Sequence, residues 1–174
     1  MALADAREYR ALAGRQRPPQ SRDWRLGLRG AGPVRIGMTL AEASRAADGE
    51  VHDEARDWSC ADWSPVAADR VPGVPVFAIR DGVIAYATLV TPDGRTRSGA
   101  RVGMSETALR RLYGSRLEVS PSPRGHPGEQ WLVYAPRFAA DSTYRMVFET
   151  DGVNVGAIIA GRWPFDRVVE GCAP

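Results

Sequence analysis

Lysine is missing from this chain: all 23 basic residues are arginine, which reads as the coding bias of a GC-rich genome and not as chemistry. Cysteine and histidine are nearly missing too, with two of each in 174 residues. Cys60 and Cys172 stand far apart with no Cys-x-x-Cys spacing, so the ligand set of a thiolate or Cys/His metal site is not there. No apolar run approaches the roughly 18 residues of a helical membrane span. A Gly-x-Ser-x-Gly nucleophile elbow is lacking, and so is the D-x-[DN]-x-[DN]-G loop of a calcium hand.

These gaps thin out the catalytic readings. His52 and His126 are the two imidazoles, and His126 lies in the Pro/Gly loop SPRGHPGE, where a solvated residue is expected. A Cys60–His52 dyad carries no family signature. The acidic stretch of Asp48, Glu50, His52, Asp53, Glu54 and Asp57 reads as a solvated loop rather than a cation site. The sequence therefore predicts no catalytic residue, no metal and no cofactor.

Charge is present but uneven. The formal net charge is only +2, yet residues 48–69 hold seven acids against Arg56, and residues 95–116 hold six arginines against Glu106. The first 35 residues carry eight arginines and three acids. Solvated faces and a mobile arm explain most of this, and a docking surface for a charged partner is the alternative. No nucleic-acid reading motif accompanies the arginines, and the acidic segment would repel phosphate, so nucleic acid is not an expected partner.

Residues 1–23 read as an N-terminal arm and linker: a short amphipathic stretch to Gly14, then an extended Pro-containing run. From there the chain repeats itself. RIGMTLAEASRAA at 35–47 aligns with RVGMSETALRRLY at 101–113, pairing Gly37-Met38-Thr39 with Gly103-Met104-Ser105. Each copy predicts a Gly turn, a hydroxyl N-cap and a helix ended by Gly49 or Gly114. Glu42 completes a capping box with Thr39, whereas the second copy has Ala108 there. Leu109, Leu112 and Tyr113 form the apolar stripe of the second helix.

A second element also recurs. FAIRDGVIAYATLV at 77–90 parallels VFETDGVNVGAIIA at 147–160, and Asp-Gly between apolar runs predicts a hairpin in each. Further strands are expected at 24–29, 55–63, 116–121 and 130–135. The fold expected is thus α+β: two tandem helix-plus-antiparallel-sheet repeats, at 24–94 and 95–174, with helices packed on one face of the sheet. The other face would be open to solvent or to a partner. Trp58, Trp63, Trp131, Tyr134, Tyr144 and Trp163 lie on strands or adjoining loops; each taken singly reads as core, and together they predict some aromatics on the open face.

The tandem aliphatic-Gly-Met-[Ser/Thr] pattern resembles the superfamily of the β-lactamase inhibitor protein and the small outer-membrane-assembly lipoproteins, over residues 24–172. GPVRIGMTLAEA, RVGMSE, LYG and the terminal Glu170-Gly171-Cys172 are also similar to a broad group of uncharacterised secreted bacterial proteins. The resemblance implies an exported, non-catalytic, protein-binding fold, either inhibitor-like or an envelope scaffold. A carbohydrate- or cell-wall-binding module is the alternative, and an enzyme of unlisted type the third. The inhibitor family carries one cysteine pair per repeat; here a Cys60–Cys172 disulfide would span the halves, with two buried free thiols as the other reading. Such a bond persists only in an oxidising compartment. The start of the chain has no apolar signal stretch, so either a signal was removed or the protein is cytosolic; the first is carried forward, giving a secreted or periplasmic protein.

Overall fold

A computed structural model describes residues 23–47, 60–63, 72–123 and 126–164. Residues 26–35, LGLRGAGPVR, fold as a tight three-stranded antiparallel meander of β1 (Leu26–Gly27), β2 (Gly30–Ala31) and β3 (Val34–Arg35). Gly30 makes that meander possible. Its φ is 131°, and a Cβ there would sit 2.1 Å from the Val34 carbonyl oxygen, a collision no side chain avoids. Helix α1 (Leu40–Ala47) follows, then β4 (Cys60–Trp63), β5 (Val76–Arg80) and β6 (Val83–Leu89). The second half supplies α2 (Glu106–Tyr113), β7 (Leu117–Pro121), β8 (Gln130–Tyr134), β9 (Tyr144–Thr150) and β10 (Val155–Arg162).

Strands β4 to β10 form one seven-stranded antiparallel sheet in the order β4-β5-β6-β10-β9-β8-β7. Each half is a meander, and the two meet where β10 pairs with β6, Ile158 opposite Leu89 and Ala160 opposite Ala87.

The expected α+β architecture of two tandem helix-plus-sheet repeats, with helices packed over one face, is corrected here. Among the described residues the fold is mostly β, with two antiparallel sheets and two short helices. The reason is dimensional. Each helix has eight residues, so it is about 12 Å long. Seven strands span about 29 Å across the sheet. Helices of that length cannot form a layer over such a sheet, and the three-stranded meander takes much of the role. Its Leu26, Ala31 and Val34 are fully buried together with Phe77, Ile84 and Phe148 of the large sheet, Ala43 of α1 and Leu109 of α2. Leu112, expected on the apolar stripe of α2, is 43% exposed instead.

The duplicated motif does shape local structure in the same way twice. Gly37 (φ 93°) donates its N–H to Ile84 O at 2.7 Å, and Ile84 N–H returns to Met38 O at 2.7 Å. Gly103 (φ 82°) donates to Val155 O at 2.7 Å, and Val155 N–H returns to Met104 O at 2.9 Å. Each turn is thereby clamped to the start of the second strand of a hairpin. The Thr39–Glu42 capping box forms, with Thr39 N–H donating to Glu42 Oε2 at 2.8 Å and Glu42 N–H to Thr39 Oγ1 at 3.3 Å. Ser105 Oγ accepts from Ala108 N–H at 3.3 Å, and Gly114 closes α2.

Glu106 ties α2 to the sheet. Its Oε1 accepts hydrogen bonds from Gln130 Nε2 at 2.6 Å and from the Thr150 hydroxyl, and its Oε2 meets Arg110 at 3.4 Å. Partial burial pushes this carboxyl up, but the hydrogen bonds from Thr150 and Gln130, with the Arg110 charge, outweigh it and hold its pKa below the ordinary 4.5. A depressed folded-state pKa stabilises the fold above the unfolded value and stops doing so as pH falls through the folded value. Glu106→Gln is therefore expected to lower the urea midpoint at pH 7 and to flatten its decline with acidification. A variant with the parent acid profile would show that the carboxylate does not couple α2 to the sheet.

Candidate functional site

The large sheet has two unlike faces. One packs into the main core just described. The other carries a smaller apolar cluster of Trp131, Val133, Val147 and Ile159, with Tyr86 against it. Strand alternation produces this: Met146 and Phe148 on β9 point into the main core, while Val147 between them, with no exposed surface, joins the second cluster.

Two register shifts decide what lies on this second face. Ile79 pairs with Ile84 but Ala78 pairs with Tyr86, so Ala85 is an extra residue on β6. Were β6 to alternate through Ala85 without this bulge, Ile84 and Tyr86 would share a face. With the bulge, Ile84, Ala87 and Leu89 enter the main core while Tyr86 packs on the second cluster. On β10 the shift falls between Val155 and Ala157, at Gly156.

Next to the second cluster the face opens into a groove of about 770 Å³. It crosses six strands, from Asp62 on β4 to Gln130 on β8, which is about 24 Å at ordinary strand spacing. Its floor is formed by Val76, Ala78, Tyr86, Thr88, Ala157 and Ile159. Asp62, Glu129, Glu149 and Asp151 place carboxylates along it, and no arginine lines it among the described residues.

Three of these carboxylates have a visible structural hold. Glu149 Oε1 accepts from the Trp131 indole N–H at 3.1 Å, so the ring and the acid orient one another. Asp151 Oδ1 accepts from the N–H groups of Val153 at 2.8 Å and Asn154 at 2.7 Å, bonds that hold its pKa below the usual carboxylate range. Ser122 Oγ donates to Glu129 Oε2 at 3.4 Å. Tyr86 has its phenol hydrogen-bonded by Arg80 Nη2 at 2.8 Å, with the guanidinium 5.3 Å from the ring centroid. Burial pushes the Tyr86 hydroxyl up; the Arg80 charge opposes this and the Asp62 charge adds to it.

Of the aromatics singled out in the sequence, the described ones are divided between the two faces of the sheet and its end. Trp131 lies on the second face. Tyr134 turns to the main core and packs against Tyr113, ring centroids 5.0 Å apart. Tyr144 is also in the main core, with Arg29 at 5.4 Å and Arg162 at 5.9 Å from its ring centroid. Trp163 follows β10 and is exposed. Trp63 stands on β4 in register with Phe77, and Cys60 opens the same strand opposite Arg80. Trp58, His52 and Cys172 lie outside the described residues, as does the acidic stretch 48–57. His126 is exposed in its loop. Among the described residues no three His, Cys, Asp or Glu side chains converge to hold a metal ion, and no helix is long and apolar enough to cross a membrane.

Tyr86, Asp62 and Glu149 are the groove residues the sequence reading did not reach. Glu149 had a signal, since it alternates out of phase with Phe148 in an apolar strand. Comparison with models of protein families, with curated proteins and with solved structures gives no match.

The Asp62 contribution to the Tyr86 hydroxyl gives a local check on this geometry. Asp62→Asn removes the charge that raises the phenol pKa, so Tyr86 is expected to titrate at lower pH than in the parent. Tyrosine labelled with ¹³C at Cζ reads this directly by NMR; an unchanged Tyr86 curve would place Asp62 away from the groove.

Proposed function

We propose that this chain is an exported, non-catalytic binding module that holds another protein on the second face of its large sheet, as an inhibitor-like or envelope-scaffolding partner. The observation that carries the reading is the open groove of about 770 Å³, which straddles the junction of the two halves on an apolar floor. A half-open groove that crosses six strands suits a chain segment better than a small ligand, which calls for a site that encloses most of its surface. The motif likeness to the inhibitor and envelope-lipoprotein superfamily supports the same reading.

A carbohydrate- or cell-wall-binding module is the second reading. It is favoured by the mixture of Tyr86 with Gln130, Asn154 and carboxylates in the groove. Against it, Tyr86 is the one aromatic among the described lining residues, where a sugar platform uses coplanar rings.

Affinity capture with the full chain, from the exported fraction of the source cells, tests the two. Tyr86→Ala and Ala157→Gln, which hollow and fill the groove, are expected to abolish retention of a specific protein while leaving the melting temperature within a few degrees. Retention on insoluble cell-wall polysaccharide that both variants abolish, with no protein retained, would replace the first reading by the second.

An oxidising compartment, which export implies, also predicts the state of the thiols. Protein made under oxidising conditions should show Cys60 bonded to Cys172, with a mass two hydrogens below the reduced chain and no alkylation before reduction. Two alkylated cysteines in such a sample would remove the disulfide and its support for export.

A further inference from the structure

We infer that the groove takes an extended, positively charged segment of a partner protein, with arginine or lysine heads reaching Asp62 and Glu149 and the intervening side chains lying on Tyr86 and Ile159. This rests on the protein-docking reading above and names the chemistry of what docks. The charge argument is local. The chain as a whole is formally +2, yet four carboxylates line the groove, and the guanidinium beside its floor, Arg80, is engaged by the Tyr86 hydroxyl and ring, so acids outnumber bases there among the described residues. A positively charged ligand meets complementary charge here, whereas an acidic peptide or a phosphate backbone would be repelled.

The spacing argument selects an extended polypeptide over a metal ion. The carboxylates are distributed over strands β4 to β9 and the loops at one end of the sheet, rather than converging on a point. About 24 Å of groove accommodates about seven residues of extended chain, whose side chains project alternately. Alternating arginine and valine would therefore set long cationic side chains toward the acids and short apolar ones toward the floor. Arginine stems also cover apolar surface while the head remains at the acid. Glu149 is already oriented by the Trp131 indole, so little ordering cost falls on that carboxylate when a cation arrives.

The test uses the full chain and three labelled octapeptides, (Arg-Val)4, (Ser-Val)4 and (Glu-Val)4, read by fluorescence anisotropy. Saturable binding of (Arg-Val)4 alone is expected, weakening by about tenfold or more between about 0.05 M and about 0.5 M salt. Asp62→Asn combined with Glu149→Gln should weaken it by about tenfold or more, while Glu118→Gln, on edge strand β7 outside the groove, should change it by less than about twofold. No binding of (Arg-Val)4, equal binding of (Glu-Val)4, or indifference to the double variant overturns the inference. Binding of (Ser-Val)4 as tight as (Arg-Val)4, lost in Tyr86→Ala, overturns the charge assignment and leaves the docking reading standing. Binding of chitohexaose with none of the peptides overturns both. A peptide of residues 1–22 that binds when the three foreign peptides do not puts the chain's own arm in the groove, and overturns the assignment to a partner.

Discussion

The pairing of β10 with β6 is the interaction on which the rest of the structure depends. Either half alone is a meander of three or four strands with an edge left open. Joined from Ile158–Leu89 to Gly161–Tyr86, they make one sheet wide enough to bury an apolar face on one side and keep a cluster on the other. The groove exists only because of this seam. Val76, Ala78, Tyr86 and Thr88 reach it from one half, and Glu149, Ala157 and Ile159 from the other. Anything held in the groove contacts both halves and so adds its binding energy to the seam.

The two faces are closed by different means, and that difference sets where the groove lies. On the main-core side, the three-stranded meander and the two short helices cover Phe77, Ile84, Phe148 and Ile158 completely. The Gly-Met turns fix this layer to the sheet at two related places, each by a reciprocal pair of backbone hydrogen bonds to Ile84 or Val155. Those residues open the second strand of each hairpin, next to the register shifts that turn Tyr86 and Ala157 to the other face. The same short stretches of β6 and β10 therefore receive the covering layer on one side and shape the groove on the other.

How much of this was legible in the sequence follows from where information is local. The hydroxyl caps, the Thr39–Glu42 box, the positive-φ glycines and most strand positions are decided by residues within a few places of one another, and they read correctly. The architecture depended on how far the helical segments run and on what LGLRGAGPVR becomes. Clear capping signals gave the helices more weight than eight residues justify. The Asp-Gly pairs show the limit of a motif. Asp81 (φ 50°) and Gly82 (φ 77°) make a two-residue turn, whereas Asp151 turns its side chain on Val153 and Asn154 and holds a four-residue loop. Identical letters give different turns: after Asp151 the N–H groups of Val153 and Asn154 bond its carboxylate, whereas after Asp81 the Ile84 N–H is committed to Met38 O. Tyr86 was illegible for a further reason: period-two alternation from Ile84 assigns it to the core, and only the extra residue in β6 reverses that.

The Trp131–Glu149 pair joins these threads. A tryptophan with 5% of its surface exposed needs a partner for its indole N–H, or it bears the cost of an unmet hydrogen bond. Glu149, directly opposite in the β8–β9 register, supplies the acceptor. The ring then completes the second apolar cluster beside Val147, and the carboxylate is fixed where that cluster meets the groove. Replacing the acid by an apolar residue would take this acceptor from the indole. One side-chain pair therefore serves packing on one side and a preset charge on the other, which is why a demand of the interior places a negative group in the groove.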